Sequence, residues 1–309
     1  MTISAGSLIE AADYNILLGP STGSGSTVNQ LWAIGSNDYG YGQSPISQVA
    51  AGNTITATQW ANLINTIRSM RLHQSGTAGA FSAPTVGSII TASTIACQSE
   101  INTAQTNRLL VNSTGSTTGY SGSFRLTAAA GVAATNTQTR TITFGSIDQC
   151  RYFWNAGGSI RVSYTSSVNH NGTARSTNII TLWNTNMSTY TIYARSASGR
   201  TGTGASANTN LTAIGFYNLA TSNILFLDID SSSYPYVDDY IKINIRTNGG
   251  AGSYSGNGNI VTFDITTYSS TTGSSFVNDA LDVTINYQIT VTYPPTTYLT
   301  NSWGTATLA

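Results

Sequence analysis

Gly145-Ser146-Ile147-Asp148-Gln149-Cys150-Arg151-Tyr152-Phe153-Trp154-Asn155-Ala156-Gly157-Gly158-Ser159-Ile160-Arg161 is the stretch on which the reading of this chain turns. A β-rich run, Thr139 to Phe144, precedes it, and a second run, Ser159 to Thr165, follows. The spacing predicts a helix of one or two turns between two strands. Ser146 stands where an N-cap belongs, and Gln149 three residues on is placed as its capping-box partner. Gly157 and Gly158 can supply the left-handed backbone that ends a helix. Tyr152, Phe153 and Trp154 are too apolar to face water, since each ring buries roughly 150–250 Å². They predict a structural anchor that plugs the open end of a β-sandwich.

Outward from this anchor, the period is two. The predicted strands are Ser123–Thr127, Thr139–Phe144, Ser159–Thr165, Thr177–Trp183, Thr189–Ala194, Asn210–Phe216, Ile224–Ile229, Tyr240–Arg246, Asn259–Thr267 and Leu281–Tyr293. Ile241, Ile243 and Ile245 alternate with Lys242, Asn244 and Arg246, as in a strand with one buried face. Short strands at this spacing, with Gly-rich turns, predict a mainly β fold. It is an antiparallel, jelly-roll-like sandwich over 119–295, with an arm over 296–309 after Pro294-Pro295.

The first part of the chain reads differently. Ile9 to Leu18, Ile55 to Ile64 and Ile90 to Cys97 share an opening: Ile, a polar residue, Ala, two more positions, then a large apolar residue. In the second, Thr56 caps a helix whose inner face is Trp60, Leu63, Ile64 and Ile67. Helices this short are marginal alone. They predict a docking region over 1–80, followed by a linker and third helix over 81–118. Its interface residues would be Tyr14, Leu17, Tyr39, Tyr41, Trp60, Leu63 and Ile67. Tyr39 and Tyr41 lie in Gly35 to Gln43, a Gly-rich loop without the Lys or the strand-before-helix setting of a P-loop.

Composition narrows the function. Only 8% of the 309 residues are charged, and the formal net charge is zero. Nucleic-acid binding needs a basic face, and none is visible. No run is long and apolar enough for a membrane span. Met1-Thr2-Ile3-Ser4 lacks a basic signal-peptide region, which predicts synthesis in a cytoplasm without Sec export. Cys97 and Cys150 read as two small buried hydrophobes, not a disulfide.

No catalytic residue and no cofactor are expected. His73 and His170 are isolated; His73 ends a helix, where a cation meets the negative dipole end. Asp228, Asp230, Asp238 and Asp239 are the one acidic cluster and the candidate Ca²⁺ ligands, without EF-hand spacing. A glycosidase pair there would need its carboxyls about 5–9.5 Å apart, which sequence spacing does not establish. Tyr234, Tyr236, Tyr254 and Tyr268 flank loops and are the candidate glycan contacts; cross-strand packing is the alternative.

Several strings resemble structural proteins of tailed bacteriophages of the cyanophage type. They are Ile55 to Trp60, Gly40-Tyr41-Gly42-Gln43, His73-Gln74-Ser75-Gly76, Phe144 to Arg161 and Ile214-Gly215-Phe216-Tyr217-Asn218-Leu219. The resemblance implies a non-enzymatic virion protein, assembled in the host cytoplasm. A tail fibre, fibre adaptor or baseplate-peripheral part is the first expectation; a capsid-decorating or head-fibre protein is the second. A module that recognises host surface glycan is the third. The expected partners are other virion proteins and further copies of the chain, with a trimer suggested by a fibre-like part.

Overall fold

The computed structural model describes residues 10–79, 83, 94–187, 189–198, 214–232, 234–249, 258–270 and 279–309, with backbone alone at 94–95, 165–169, 186 and 198. Four helices come first: α1 (Ala11–Leu18), α2 (Val28–Trp32), α3 (Ala57–Ser75) and α4 (Thr94–Thr106). Thr56 caps α3 as expected and forms with Gln59 a capping box, which the sequence placed instead at Ser146 and Gln149; Gly76 ends α3 in the left-handed conformation at φ 72°. Trp60, Leu63, Ile64 and Ile67 are its buried face, as the spacing predicts.

The rest is mainly β, in two antiparallel five-stranded sheets. The strands of the first sheet are β1 (Thr117–Ala128), β3 (Ser159–His170), β4 (Thr189–Ile192), β5 (Ala197–Ser198) and β9 (Leu281–Thr292). Those of the second are β2 (Ala134–Thr143), β6 (Ile224–Asp230), β7 (Tyr240–Thr247), β8 (Ile260–Ser269) and β10 (Thr307–Leu308). The orders are β1-β9-β3-β4-β5 and β10-β2-β8-β7-β6. The first strand pairs with β9 and the second with β8, so the chain wraps as in a jelly roll, and then β6-β7-β8 forms a meander. Ile241, Ile243 and Ile245 point inward with no exposure.

Helices plug both ends of the sandwich. At one end, α5 (Ile147–Asn155) connects β2 to β3; Ser146 caps it by accepting from the Gln149 N–H. Phe153 packs edge-on to Trp154 and Tyr293, and also against Phe144. The predicted strand Thr177–Trp183 is a correction: it lies inside α6 (Ala174–Asn186), which fills the other end. Its β-branched residues look strand-like, but Ser176, Ile179, Ile180, Trp183 and Met187 follow helical spacing, and Thr173 caps the helix on the Ser176 N–H. Trp183 is fully buried against Phe124 of β1 and Tyr164 of β3. Most of the predicted strand Asn210–Phe216 lies outside the described residues, and Phe216–Asn218 is a 3₁₀ turn.

The four-part division of the sequence does not divide the core. Among the described residues, buried side chains from Ala11 to Ala306 belong to one cluster. After Pro294-Pro295 the arm crosses the helical layer and then adds β10 to the edge of the second sheet. There, Ala309 and Thr141 exchange both backbone hydrogen bonds.

Candidate functional site

Four of the five strings singled out in the sequence, all but Ile55 to Trp60, meet in one buried joint between the helical layer and the sandwich. It is built on α5. Arg151 donates to the carbonyls of Tyr39 (2.8 Å), Ile34 (2.9 Å) and Asn37 (3.3 Å) and to the Asp148 carboxylate (3.0 Å). Asn155, fully buried, donates to the carbonyls of Gly40 (2.9 Å), Tyr39 (3.0 Å) and Asn37 (3.2 Å). Its own oxygen accepts from the Tyr217 hydroxyl at 2.6 Å. Phe216 stacks on Trp154 with centroids 5.0 Å apart. The Gly35 to Gln43 loop is thus read through its backbone. A loop of glycines exposes many carbonyls, and burying them requires donors from elsewhere.

Two glycine-dependent contacts tighten the joint. At Gly42, φ is 70°, and an added Cβ would lie 2.4 Å from the Tyr152 ring. Gly42→Ala is therefore expected to cost about 2–4 kcal/mol through backbone strain and displacement of the ring, measured as a lowered midpoint of thermal or urea unfolding. At Gly157, φ is 88°, and a Cβ would meet Val111 at 2.5 Å.

Arg151 is not the joint's one charged group. Asp38, nearly buried, is paired with Arg108 and with Arg195, the latter at 2.8 Å. Arg108 also lies over the Tyr39 ring, 4.6 Å from its centroid. Gln74 donates to the Tyr41 hydroxyl (2.7 Å), which donates to the Arg108 carbonyl (2.8 Å). Gln43 ties in the arm: its amide donates to the Thr300 carbonyl and accepts from the Thr300 N–H and hydroxyl.

The expectations for single residues change accordingly. Tyr14, Leu17, Tyr41, Trp60, Leu63 and Ile67 are at most 1% exposed, and Tyr39 is half-buried under Arg108. These residues pack within their own chain. His73 is a correction too. Its Nε2 lies 2.9 Å from the Ala156 carbonyl, which requires Nε2 to carry the proton. Burial pulls its pKa down to about 4, so it is a neutral donor and not a cation on the helix dipole. Cys97 and Cys150 are free and buried; burial pushes both thiols up, Cys97 to about 11.

The acidic cluster does not close on one point. Asp228 pairs with Lys242 at 3.3 Å, and burial raises the Asp230 carboxyl. Asp239 turns into the α6 end of the sandwich, accepting from the Ser270 N–H and the Asn178 amide. Asp238 stays exposed. Among the described residues, no three His, Cys, Asp or Glu side chains gather to hold a metal. Tyr234 is 72% exposed, and Tyr268 stacks on its cross-strand neighbour Tyr240, the packing alternative. Tyr236 is half-buried, and Tyr254 lies outside the described residues.

Two depressions flank the joint. An apolar cleft of about 340 Å³ lies between Leu109–Val111, the end of α5 and Tyr193–Ser196, with Leu110 54% and Tyr193 39% exposed on its rim. A groove of about 560 Å³ runs along the outer side of α3. No helix among the described residues is long and apolar enough to cross a membrane. Comparison with family models, with curated proteins and with solved structures gives no match.

Proposed function

We propose that this protein is a structural component of a bacteriophage virion, in the tail apparatus as a fibre, fibre adaptor or baseplate-peripheral part. The observation that supports this most is the convergence of the resembling strings. His73-Gln74, Gly40 to Gln43, Phe144 to Arg161 and Phe216-Tyr217 all supply contacts to the same joint. They act by packing and by holding backbone, the work of a scaffold. The apolar cleft with Leu110 and Tyr193 on its rim is the proposed contact with a neighbouring virion protein. Such contacts are apolar and aromatic at their centre and depleted in charge.

In this reading the helical layer shares its core with the sandwich, so the attachment surface lies beside the joint and not on the inner faces of α1 and α3. The test is mass spectrometry of density-purified particles of a phage whose genome encodes this chain. The protein should be present at a fixed copy number. Leu110→Asp with Tyr193→Ser should deplete it from particles while leaving the melting temperature of the purified chain within about 2 °C. Absence of the wild-type chain from purified particles would overturn the proposal.

A further inference from the structure

The groove along α3 has a chemistry that the joint does not use. One wall is a polar stripe of the helix: Gln59, Asn62, Thr66 and Ser69, with Asn65 beside it. The facing wall is the extended segment Ser44–Ser47, with Trp32 and Tyr14. None of the residues lining it is charged.

This facing wall is held rigidly. Asn29 grips Ile46 with both amide atoms, donating to its carbonyl and accepting from its N–H, each at 2.9 Å. Asn15 grips Val49 in the same way, at 2.7 and 2.9 Å. The Trp32 indole N–H is committed to the Ser44 carbonyl at 3.1 Å. The half-buried ring therefore offers the groove its apolar surface and not its donor. Asn62, Asn65, Thr66 and Ser69, by contrast, make no side-chain hydrogen bond within the described residues.

We propose that this groove binds a neutral oligosaccharide. Amide and hydroxyl side chains each both donate and accept, as a sugar hydroxyl does. An aromatic face without charge around it suits the C–H faces of a pyranose. An ionic ligand would find no counter-charge in the lining. An extended peptide fits less well. Groups on one edge of a strand recur about every 6.8 Å, whereas the polar residues of α3 step by about 4.5–6 Å over a total of about 15 Å. The inference does not rest on the virion reading, and it places sugar recognition on the helical layer and away from the tyrosines of the β loops.

The test is titration calorimetry of the full chain with neutral hexasaccharides of glucose, mannose, galactose and N-acetylglucosamine. A hexauronate and an uncharged Ser/Thr/Asn peptide library serve as comparison ligands. At least one neutral hexamer should bind, with an affinity that stays constant between about pH 5 and pH 8, since no group in the groove titrates there. Trp32→Ala and Asn62→Ala should each weaken it about tenfold, and Tyr234→Ala should not change it. Asn65→Asp, on the exposed helix face, repeats the test in a variant whose fold is not at risk. No binding of any neutral hexamer at millimolar concentration, binding indifferent to Asn62→Ala and Asn65→Asp, or preference for the hexauronate or the peptides would each overturn the proposal.

Discussion

Arg151→Ala is expected to lower the unfolding free energy by about 3–5 kcal/mol, the largest effect of any single truncation at the joint. The guanidinium is 4% exposed and donates to three loop carbonyls. Once it is removed, the Ile34 carbonyl loses its side-chain donor, those of Tyr39 and Asn37 are left to Asn155 and Tyr217, and a cavity opens beside the Tyr152 ring on which it lies. Asn155→Ala should cost nearly as much, because it also leaves the Tyr217 hydroxyl only its longer bond to the Asn37 carbonyl, at 3.2 Å. The two side chains share the Asn37 and Tyr39 carbonyls, so the double variant should lose less than the sum of the single losses. Arg161→Ala, on an exposed position of β3, is the control and should stay within about 0.5 kcal/mol of wild type. Denaturant unfolding followed by tryptophan emission reads all four. An Arg151→Ala loss no larger than that of Arg161→Ala would show that the loop does not depend on α5 for its donors.

The second large effect is a pair of opposed pH dependences. His73 titrates near 6.5 when unfolded and about 4 when folded, so the unfolded state takes up the proton first. Its stabilisation is present in full above pH 6.5 and is lost as pH falls from there through 4, to a total of about 3 kcal/mol. Asp239 runs the other way. Burial raises its carboxyl to about 6, against the pull of the Ser270 N–H, the Asn178 amide and Arg175. Burial likewise lowers the pKa of Arg175, so desolvation outweighs the attraction between the two. The Asp239 contribution is present below its unfolded pKa near 3.9 and is lost as pH rises through 6, again by about 3 kcal/mol. In the native chain the two slopes offset one another between about pH 4 and 6.5. His73→Gln keeps a donor for the Ala156 carbonyl and should leave a protein that gains stability on acidification. Asp239→Asn should leave one that loses it. Urea titrations at intervals across this window test the pair, and profiles of the same sign in both variants would refute the assignment.

Much of this architecture is legible in the residues themselves. The α5 anchor, the Thr56 cap and the alternating isoleucines of β7 each combine a local signal with a matching period. Local signal and global fold agree there, so the reading holds. It fails where a local signal conflicts with the tertiary setting. Ile179 and Ile180 carry strand propensity, yet the Asn171-Gly172-Thr173 turn and cap begin a helix whose Arg175 is fixed by Ser269 and the Val132 carbonyl. Those partners are distant in sequence and leave no local trace. The joint was half legible. Its aromatic residues announced burial, but nothing near Gly35 to Gln43 showed that Arg151, Asn155 and Tyr217 would supply its donors. Tyr14, Trp60 and Tyr41 read as interface residues because short helices need cover; the helices supply it to one another, Tyr14 against Trp60 and Tyr41 against His73. The groove along α3 went unread because its uncharged polar residues are those expected of any solvated helix face.

The arm has a consequence for how the molecule comes into being. Gln43 closes its hydrogen bonds on Thr300 and Ser302, and β1 pairs along its whole length with β9. Contacts at such sequence separation make for slow folding, because long loops must close before their energy is gained. On the ribosome, the helical layer would emerge with its docking site for the arm still empty, and β1 would emerge long before its partner β9. Nascent chains of this protein are therefore expected to stay incompletely folded until β9 and the arm are made, longer than a chain built from consecutive hairpins.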